Sequence, residues 1–262
     1  IMAGNKTPGN QSGEKLIAIF EYLVRQGEPQ KLQDIAKGLE MNTSTTLRFL
    51  TTLVNCNYVK QNSDTLRYEP TMKICALANK INKENALPKA ARPYMQKLSD
   101  LFGESVCLGI CENDKVVYIE VMRVRNQSLM AVQAVGNAAP MYCNGIGKLF
   151  LAQYSKEKLE RYLENNALEP YTEYTITDKD ALKAELLKIQ KNGYAFDNQE
   201  REIGARCLAF PIYGSNDEMI GGISVTGPYS RLTDDLLMDK IDDYREIMLQ
   251  LSREVGYQNF NK

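Results

Sequence analysis

The chain has 262 residues, 44% of them hydrophobic, and a net charge of −1. That length favours two domains, and the near-neutral charge excludes a globally basic nucleic-acid binder, so any such role must rest on a local patch. Histidine is absent, which excludes Ser-His-Asp triads, Cys-His dyads and His-ligated metals.

Residues 1–12 are rich in Gly, Asn and Pro and read as a disordered lead or a vector-derived remnant. A first helix is predicted over 13–26. Its apolar stripe is Leu16, Ile17, Phe20, Leu23 and Val24, and Gly27 ends it. Leu32, Ile35, Ala36 and Leu39 mark a short second helix, with Gln33 and Asp34 outward. After a turn at 40–42, Asn42 or Thr43 can cap a third helix. This helix opens with Thr43-Ser44-Thr45-Thr46-Leu47-Arg48, which is poor in helix propensity. Yet Leu47, Leu50, Leu53 and Val54 recur at helical spacing, so one face should be buried. The other face shows Ser44, Thr45, Arg48, Thr51 and Thr52. Short hydroxyls with a guanidinium suit phosphates and base edges. Strands at 58–61 and 66–69, joined by Asn62-Ser63-Asp64, form a hairpin that carries Lys60 and Arg67. Helix, turn, helix and hairpin together read as a winged helix-turn-helix over 13–70. Its candidate DNA contacts are Thr43, Ser44, Thr45, Arg48, Lys60 and Arg67. A small helical unit for protein contacts is the alternative.

Residues 71–85 read as a linker helix, with Met72, Ile74, Cys75, Leu77, Ala78 and Ile81 apolar. A second domain should occupy 86–262. It opens with a helix over 88–102, then a hairpin of strands 105–111 and 115–122 around Asn113-Asp114. A third strand is expected at 128–135 and a break at 136–140. A helix then runs from Asn144-Gly145-Ile146-Gly147-Lys148 to 153, followed by helices at 156–165 and 178–192. A strand at 193–197, a hairpin of 207–213 and 219–226, and a final helix over 233–255 complete the chain. Hairpins imply an antiparallel sheet with helices on its faces, so the fold class is α+β with a sensor-like second domain.

Two features of this domain point to small-molecule binding. Gly145 to Gly147 leave backbone N–H groups bare at a helix N-terminus, which carries roughly half a positive charge and accepts anions. Ser224 and Thr226 lie two apart on a strand and so point to one face. Asp197 can accept from a ligand hydroxyl. The competing reading makes the glycines close-packing residues and Asp197 a structural cap.

Both halves resemble the isocitrate lyase regulator (IclR) family of bacterial transcription factors. In the first half the match lies in Leu32-Gln33-Asp34-Ile35-Ala36, Ser44-Thr45, Arg48 and Asn57-Tyr58-Val59. In the second it lies in Gly145-Ile146-Gly147-Lys148-Leu149-Phe150-Leu151-Ala152, Tyr174-Thr175-Ile176-Thr177 and Gly193-Tyr194-Ala195-Phe196-Asp197. It continues through Glu200, Gly204-Ala205-Arg206-Cys207-Leu208-Ala209 and Ser224-Val225-Thr226-Gly227-Pro228. The resemblance implies a winged-helix DNA-binding domain joined by a helix to a GAF-like effector domain. It also implies homodimers or homotetramers on a near-palindromic double-stranded operator, with affinity set by a small metabolite, often a carboxylate. Carried over residue by residue, it implies effector contacts at Gly145, Ile146, Asp197, Cys207, Ser224 and Thr226. Thr226 departs mildly from the usual serine. Ala131, Ala139 and Ala205 stand where relatives can carry bulkier side chains, so a roomier pocket for a sugar acid or aromatic acid is expected.

The expected function is therefore an effector-controlled DNA-binding regulator, a repressor rather than an enzyme, without cofactor or metal. The alternative from another class is a GAF-like thiol redox sensor or enzyme using Cys143 and Cys207. A reactive thiolate needs a cation or a helix N-terminus beside it, and Cys143 precedes the Gly145 helix start. The six cysteines are Cys56, Cys75, Cys107, Cys111, Cys143 and Cys207. They form no C-x-x-C pair, and their scatter fits a reducing bacterial cytoplasm. No apolar run approaches the ~18 residues of a membrane span, so no membrane partner is expected.

Overall fold

The computed structural model describes residues 10–77, 86–124 and 133–258. The chain divides into two compact units, one ending at Glu84 and the other beginning at Asn85.

The first unit contains α1 (Gln11–Gln26), α2 (Leu32–Gly38), α3 (Thr43–Asn55) and the antiparallel hairpin β1 (Val59–Gln61) and β2 (Tyr68–Pro70). Asn10 caps α1 by accepting from the Ser12 amide at 3.0 Å, so residues 11 and 12 are helical and not part of a lead. Gly27 ends α1 at φ 68°, a left-handed conformation that glycine adopts without strain. The core is Ile19, Leu23, Ile35, Phe49, Leu50, Leu53, Val59 and Tyr68. Two predicted stripe residues, Ile17 and Val24, are exposed instead, because Ile19 and Leu23 set the inward face of α1. Leu66 adopts φ 55° in the turn, so the second wing strand starts at Tyr68. Residues 73–77 are helical, and the rest of the predicted linker helix, 78–85, lies outside the described residues.

The second unit opens with α4 (Ala86–Phe102) and then β3 (Ser105–Glu112), β4 (Lys115–Met122) and β5 (Ala138–Pro140). Next come α5 (Gly145–Ala152), α6 (Lys156–Asn165) and α7 (Lys179–Asn192). Strands β6 (Ala195–Asn198), β7 (Ala205–Tyr213) and β8 (Met219–Pro228) precede α8 (Asp234–Asp239) and α9 (Ile241–Glu254). The strands form one antiparallel sheet in the order β5-β4-β3-β8-β7-β6. Alternation sends Val106, Leu108, Leu208, Phe210, Ile223 and Val225 into a core with Met95, Leu98, Tyr244 and Met248 of α4 and α9. On the opposite face, Cys107 and Ala209 pack with Ile146 and Leu149 of α5 and with Leu182, Leu186 and Ile189 of α7. The sheet is thus covered on both faces, which is why β7 reads as a continuous apolar run rather than an alternating one.

Three predicted elements differ. Ala138–Pro140 is an edge strand, not a break, and pairs with β4 from Lys115 to Val117. Of the strand predicted at 128–135, residues 128–132 lie outside the described residues and 133–135 are not strand. The final helix is two, since Lys240 ends α8 and begins α9.

Candidate functional site

The first candidate surface is on α3. Asn42 caps it: Oδ1 accepts from the Ser44 amide at 2.9 Å and from Ser44 Oγ at 2.7 Å. Ser44, Leu47, Arg48 and Thr51 follow at helical spacing and are all exposed, with Thr43 beside them. Thr45 is half-buried. Leu47, predicted to be buried, is 43% exposed, while Thr46 and Phe49 take the inward positions. Thr46 can be buried because its hydroxyl donates to the Asn42 carbonyl at 3.1 Å. Thr51 and Thr52 likewise donate to the carbonyls of Leu47 and Arg48. Their oxygens keep lone pairs that can accept from base amino groups. Leu47 offers an apolar contact for a thymine methyl group. On the wing, Lys60 Nζ lies 3.0 Å from Glu69 Oε1, and Arg67 Nη1 donates to the Pro29 carbonyl at 2.9 Å. Both wing cations therefore have partners within the hairpin and the loop beside it.

The second candidate site lies beneath the start of α5. Strand register sets Asp197, Cys207 and Thr226 in one row across β6, β7 and β8. The adjacent row is Ala195, Ala209, Ser224 and Cys107. A Cβ on Gly145 would stand 3.0 Å from both Cys207 Sγ and Ala209 Cβ, so the first turn of α5 rests on β7. A Cβ on Gly147 would fall 2.3 Å from Met141 Cα, which only glycine tolerates. Ile146 lies over Gly109 and Gly222, which face each other across β3 and β8. On the other side of the sheet, a Cβ on Gly221 would come within 3.3 Å of Leu87 of α4. The glycines of the motif are thus close-packing residues, and that packing brings Gly145, Ile146, Asp197, Cys207, Ser224 and Thr226 together.

The polar groups of this site are mostly buried. Ser224 Oγ and Thr226 Oγ1 are 3.4 Å apart and share a proton donor role between them. Asp197 Oδ1 accepts from the Glu200 amide at 2.8 Å, so it does cap the turn after β6. Asp197 retains partial solvent access, yet burial of its carboxylate and the nearby Glu200 push its pKa up to about 7, against the pull of Lys148. Sequence reasoning missed three residues here. Asn144 caps α5: Oδ1 accepts from the Gly147 amide at 3.1 Å, and Nδ2 donates to the Tyr118 hydroxyl at 2.7 Å. Lys148 forms a buried ion pair with Glu200. The available signal was a lysine inside an otherwise apolar helix, because a buried ammonium requires a partner. Glu200 Oε2 is buried without a hydrogen-bond partner among the described residues.

Ala139 is buried near this site and Ala205 is half-buried, whereas Ala131 lies outside the described residues. Two clefts lie elsewhere. One of about 550 Å³ is lined by Lys97, Asp100, Leu101, Asp243, Glu246 and Ile247 of α4 and α9. The other, about 380 Å³, lies between α1 and the start of α3.

The cysteine alternative meets an electrostatic obstacle. Burial pushes the Cys143 thiol up to about 12, despite the Arg201 guanidinium. Burial also raises the Cys207 thiol, against the amides of Asp197 and Gly145 and the charge of Lys148. Burial thus favours the protonated form of both thiols over the thiolate that redox or covalent chemistry uses. Among the described residues no group of His, Cys, Asp and Glu side chains could hold a metal ion, and no helix is long and apolar enough to cross a membrane.

A helix-turn-helix with a wing, followed by an antiparallel sheet sandwiched between helices, defines a two-domain transcriptional regulator. The IclR helix-turn-helix domain model matches residues 12–63, and the bacterial transcriptional regulator IclR C-terminal model matches residues 80–256. The chain belongs to the IclR family, with a DNA-binding domain and an effector-binding C-terminal domain. It is 28% identical to the transcriptional repressor IclR of Escherichia coli (strain K12), over 94% of this chain and 88% of that protein. The crystal structure of the Thermotoga maritima IclR matches with a TM-score of 0.81 at 28% identity, covering 94% of this chain and 99% of that one. An IclR homolog from Microbacterium hydrocarbonoxydans, complexed with 4-hydroxybenzoate, shares the fold with a TM-score of 0.74 at 20% identity, covering 93% and 100%.

Proposed function

We propose that this regulator is a repressor that binds a near-palindromic operator as a homodimer or homotetramer and is controlled by a small organic acid. It acts by binding, not by catalysis, in the bacterial cytoplasm. Ser44, Thr45, Arg48 and Leu47 of α3 read the major groove, with Thr43 at the phosphates and Lys60 and Arg67 on the flanking backbone. One winged helix contacts too few bases for useful specificity, so two-fold pairing supplies the rest. The acid sits with its carboxylate at the Gly145-Ile146 end of α5 and the Ser224 and Thr226 hydroxyls. Its far end approaches Asp197 and Cys207.

The observation that carries this reading is the pair of hydroxyls on Ser224 and Thr226. Both residues are buried and lie in register with the floor under a helix N-terminus. The 4-hydroxybenzoate held by the relative supports an acid as the class of ligand, and the name of the Escherichia coli relative supports repression. The test is a thermal-shift screen of sugar and aromatic acids, followed by operator binding with and without each hit. An acid that raises Tm and releases DNA, with both effects reduced in Ser224→Ala, supports the reading. Bound acid located away from these residues overturns it.

A further inference from the structure

Tyr118 projects from β4 toward α5 and is 6% exposed. Its hydroxyl oxygen accepts from Asn144 Nδ2 at 2.7 Å. The direction of that bond is forced. Asn144 Oδ1 already accepts from the Gly147 amide, and turning the carboxamide over would set an NH2 against that N–H. The Tyr118 oxygen therefore must accept, and its own proton is directed elsewhere. Among the described residues that proton reaches no acceptor, although buried donors are almost always paired. Asn144 immediately precedes Gly145, so the hydroxyl lies at the same helix end as the proposed effector site. The groups near it are the thiols of Cys107 and Cys207 and the carboxyl of Asp197. Burial raises the phenol's pKa, so it keeps its proton.

We infer that Tyr118 is a specificity-determining residue of the effector site, donating its hydroxyl proton to an oxygen of the effector's acid group. The inference rests on the effector site proposed above. It gives the acid a third hydroxyl donor, beside Ser224 and Thr226, on the strand at the opposite side of β3. A carboxylate oxygen there completes the hydrogen-bonding of the phenol and, being charged, accepts more strongly than the neutral oxygen of a carboxamide.

The test uses the full chain with acetate, pyruvate, gluconate, benzoate and 4-hydroxybenzoate as probes. Affinities are measured by calorimetry for the unchanged protein, Ser224→Ala and Tyr118→Phe, for each acid and its carboxamide. The expected result is an acid that binds the unchanged protein, binds Tyr118→Phe roughly 10- to 100-fold more weakly, as befits a lost bond to a charged group, and whose carboxamide loses distinctly less. Equal acid affinity in Tyr118→Phe, with the loss in Ser224→Ala intact, overturns the role of Tyr118 and leaves the effector site standing. Acids that bind none of the proteins, or bind without regard to Ser224, overturn the site and Tyr118 with it. If Tyr118→Phe does not fold, NMR of the unchanged protein labelled at tyrosine Cζ decides. The Tyr118 resonance should move further with the acid than with the carboxamide, and a resonance indifferent to both overturns the inference.

Discussion

Lys148 of α5 and Glu200 of the turn after β6 form an ion pair whose side chains are 1% and 6% exposed. Burial raises the pKa of Glu200, and the Lys148 ammonium opposes that rise. Removing one partner leaves an uncompensated charge in the interior, at a cost of about 3–5 kcal/mol. Lys148→Met should therefore be strongly destabilising in urea melts. Lys148→Met combined with Glu200→Leu should recover most of the loss, because neither charge then needs solvation. A double variant as unstable as the single one would refute this account of the pair.

On the DNA side, Arg48→Ala should weaken operator binding by about 1–3 kcal/mol and relax preference at one base position. Glu69 neutralises Lys60 on the wing. Glu69→Gln should thus tighten binding and steepen its salt dependence, by releasing a cation for phosphate. Fluorescence anisotropy across a salt series checks both. Arg48→Ala without effect on a folded protein would remove α3 from the groove.

Asp197 ties stability to pH. Its pKa is about 7 in the folded protein, against about 4 in an unfolded chain. Between these values the folded state holds a proton that the unfolded state has released. The stability it contributes is complete below about pH 4 and is lost as pH rises through about 7. Asp197→Asn keeps an oxygen for the Glu200 amide but does not titrate, so its urea midpoint should fall less between pH 5 and pH 8. An identical pH slope in the two proteins would contradict the shift.

Gly147 tests the packing of α5. The backbone of Met141 occupies the space of a Cβ at this position, and backbone cannot yield as a flexible side chain does. Gly147→Ala should cost about 1–3 kcal/mol or more through overpacking. Gly136→Ala serves as the contrast: nothing stands within 4 Å of a Cβ there, and its cost comes only from φ 88°. Comparable small losses at both would show that Met141 moves aside.

Much of the winged helix was legible because its punctuation is local: Asn42, Gly27 and the Asn62 turn act on their own neighbours. Of the apolar stripe read on α3, Leu50 and Leu53 are buried as expected and Leu47 is not. Threonine looks polar in sequence, but Thr46 conceals its hydroxyl on the Asn42 carbonyl, which frees Leu47 to face outward. Strand β5 was missed because Ala-Ala-Pro lacks β-branched residues and is held only by its pairing with β4. The break at Lys240 carries no Gly or Pro to announce it. In the effector site, the glycine motif and the Ser224 and Thr226 pair were visible as spacing. The Asn144–Tyr118 bond and the Lys148–Glu200 pair join residues 26 and 52 positions apart, and nothing local marks them.

Gly221 and Gly222 make β8 a bare strip of backbone at the middle of the sheet. Ile146 presses on one surface of it and Leu87 on the other. The side chains of Ile146 and Leu87 are therefore separated by little more than the backbone of β8. A shove on Ile146 meets no soft side chain that could absorb it before Leu87. The sheet, usually a thick partition between two cores, is at this spot only one backbone deep. A side chain added at Gly221 or Gly222 would therefore crowd Leu87 of α4 or Ile146 of α5.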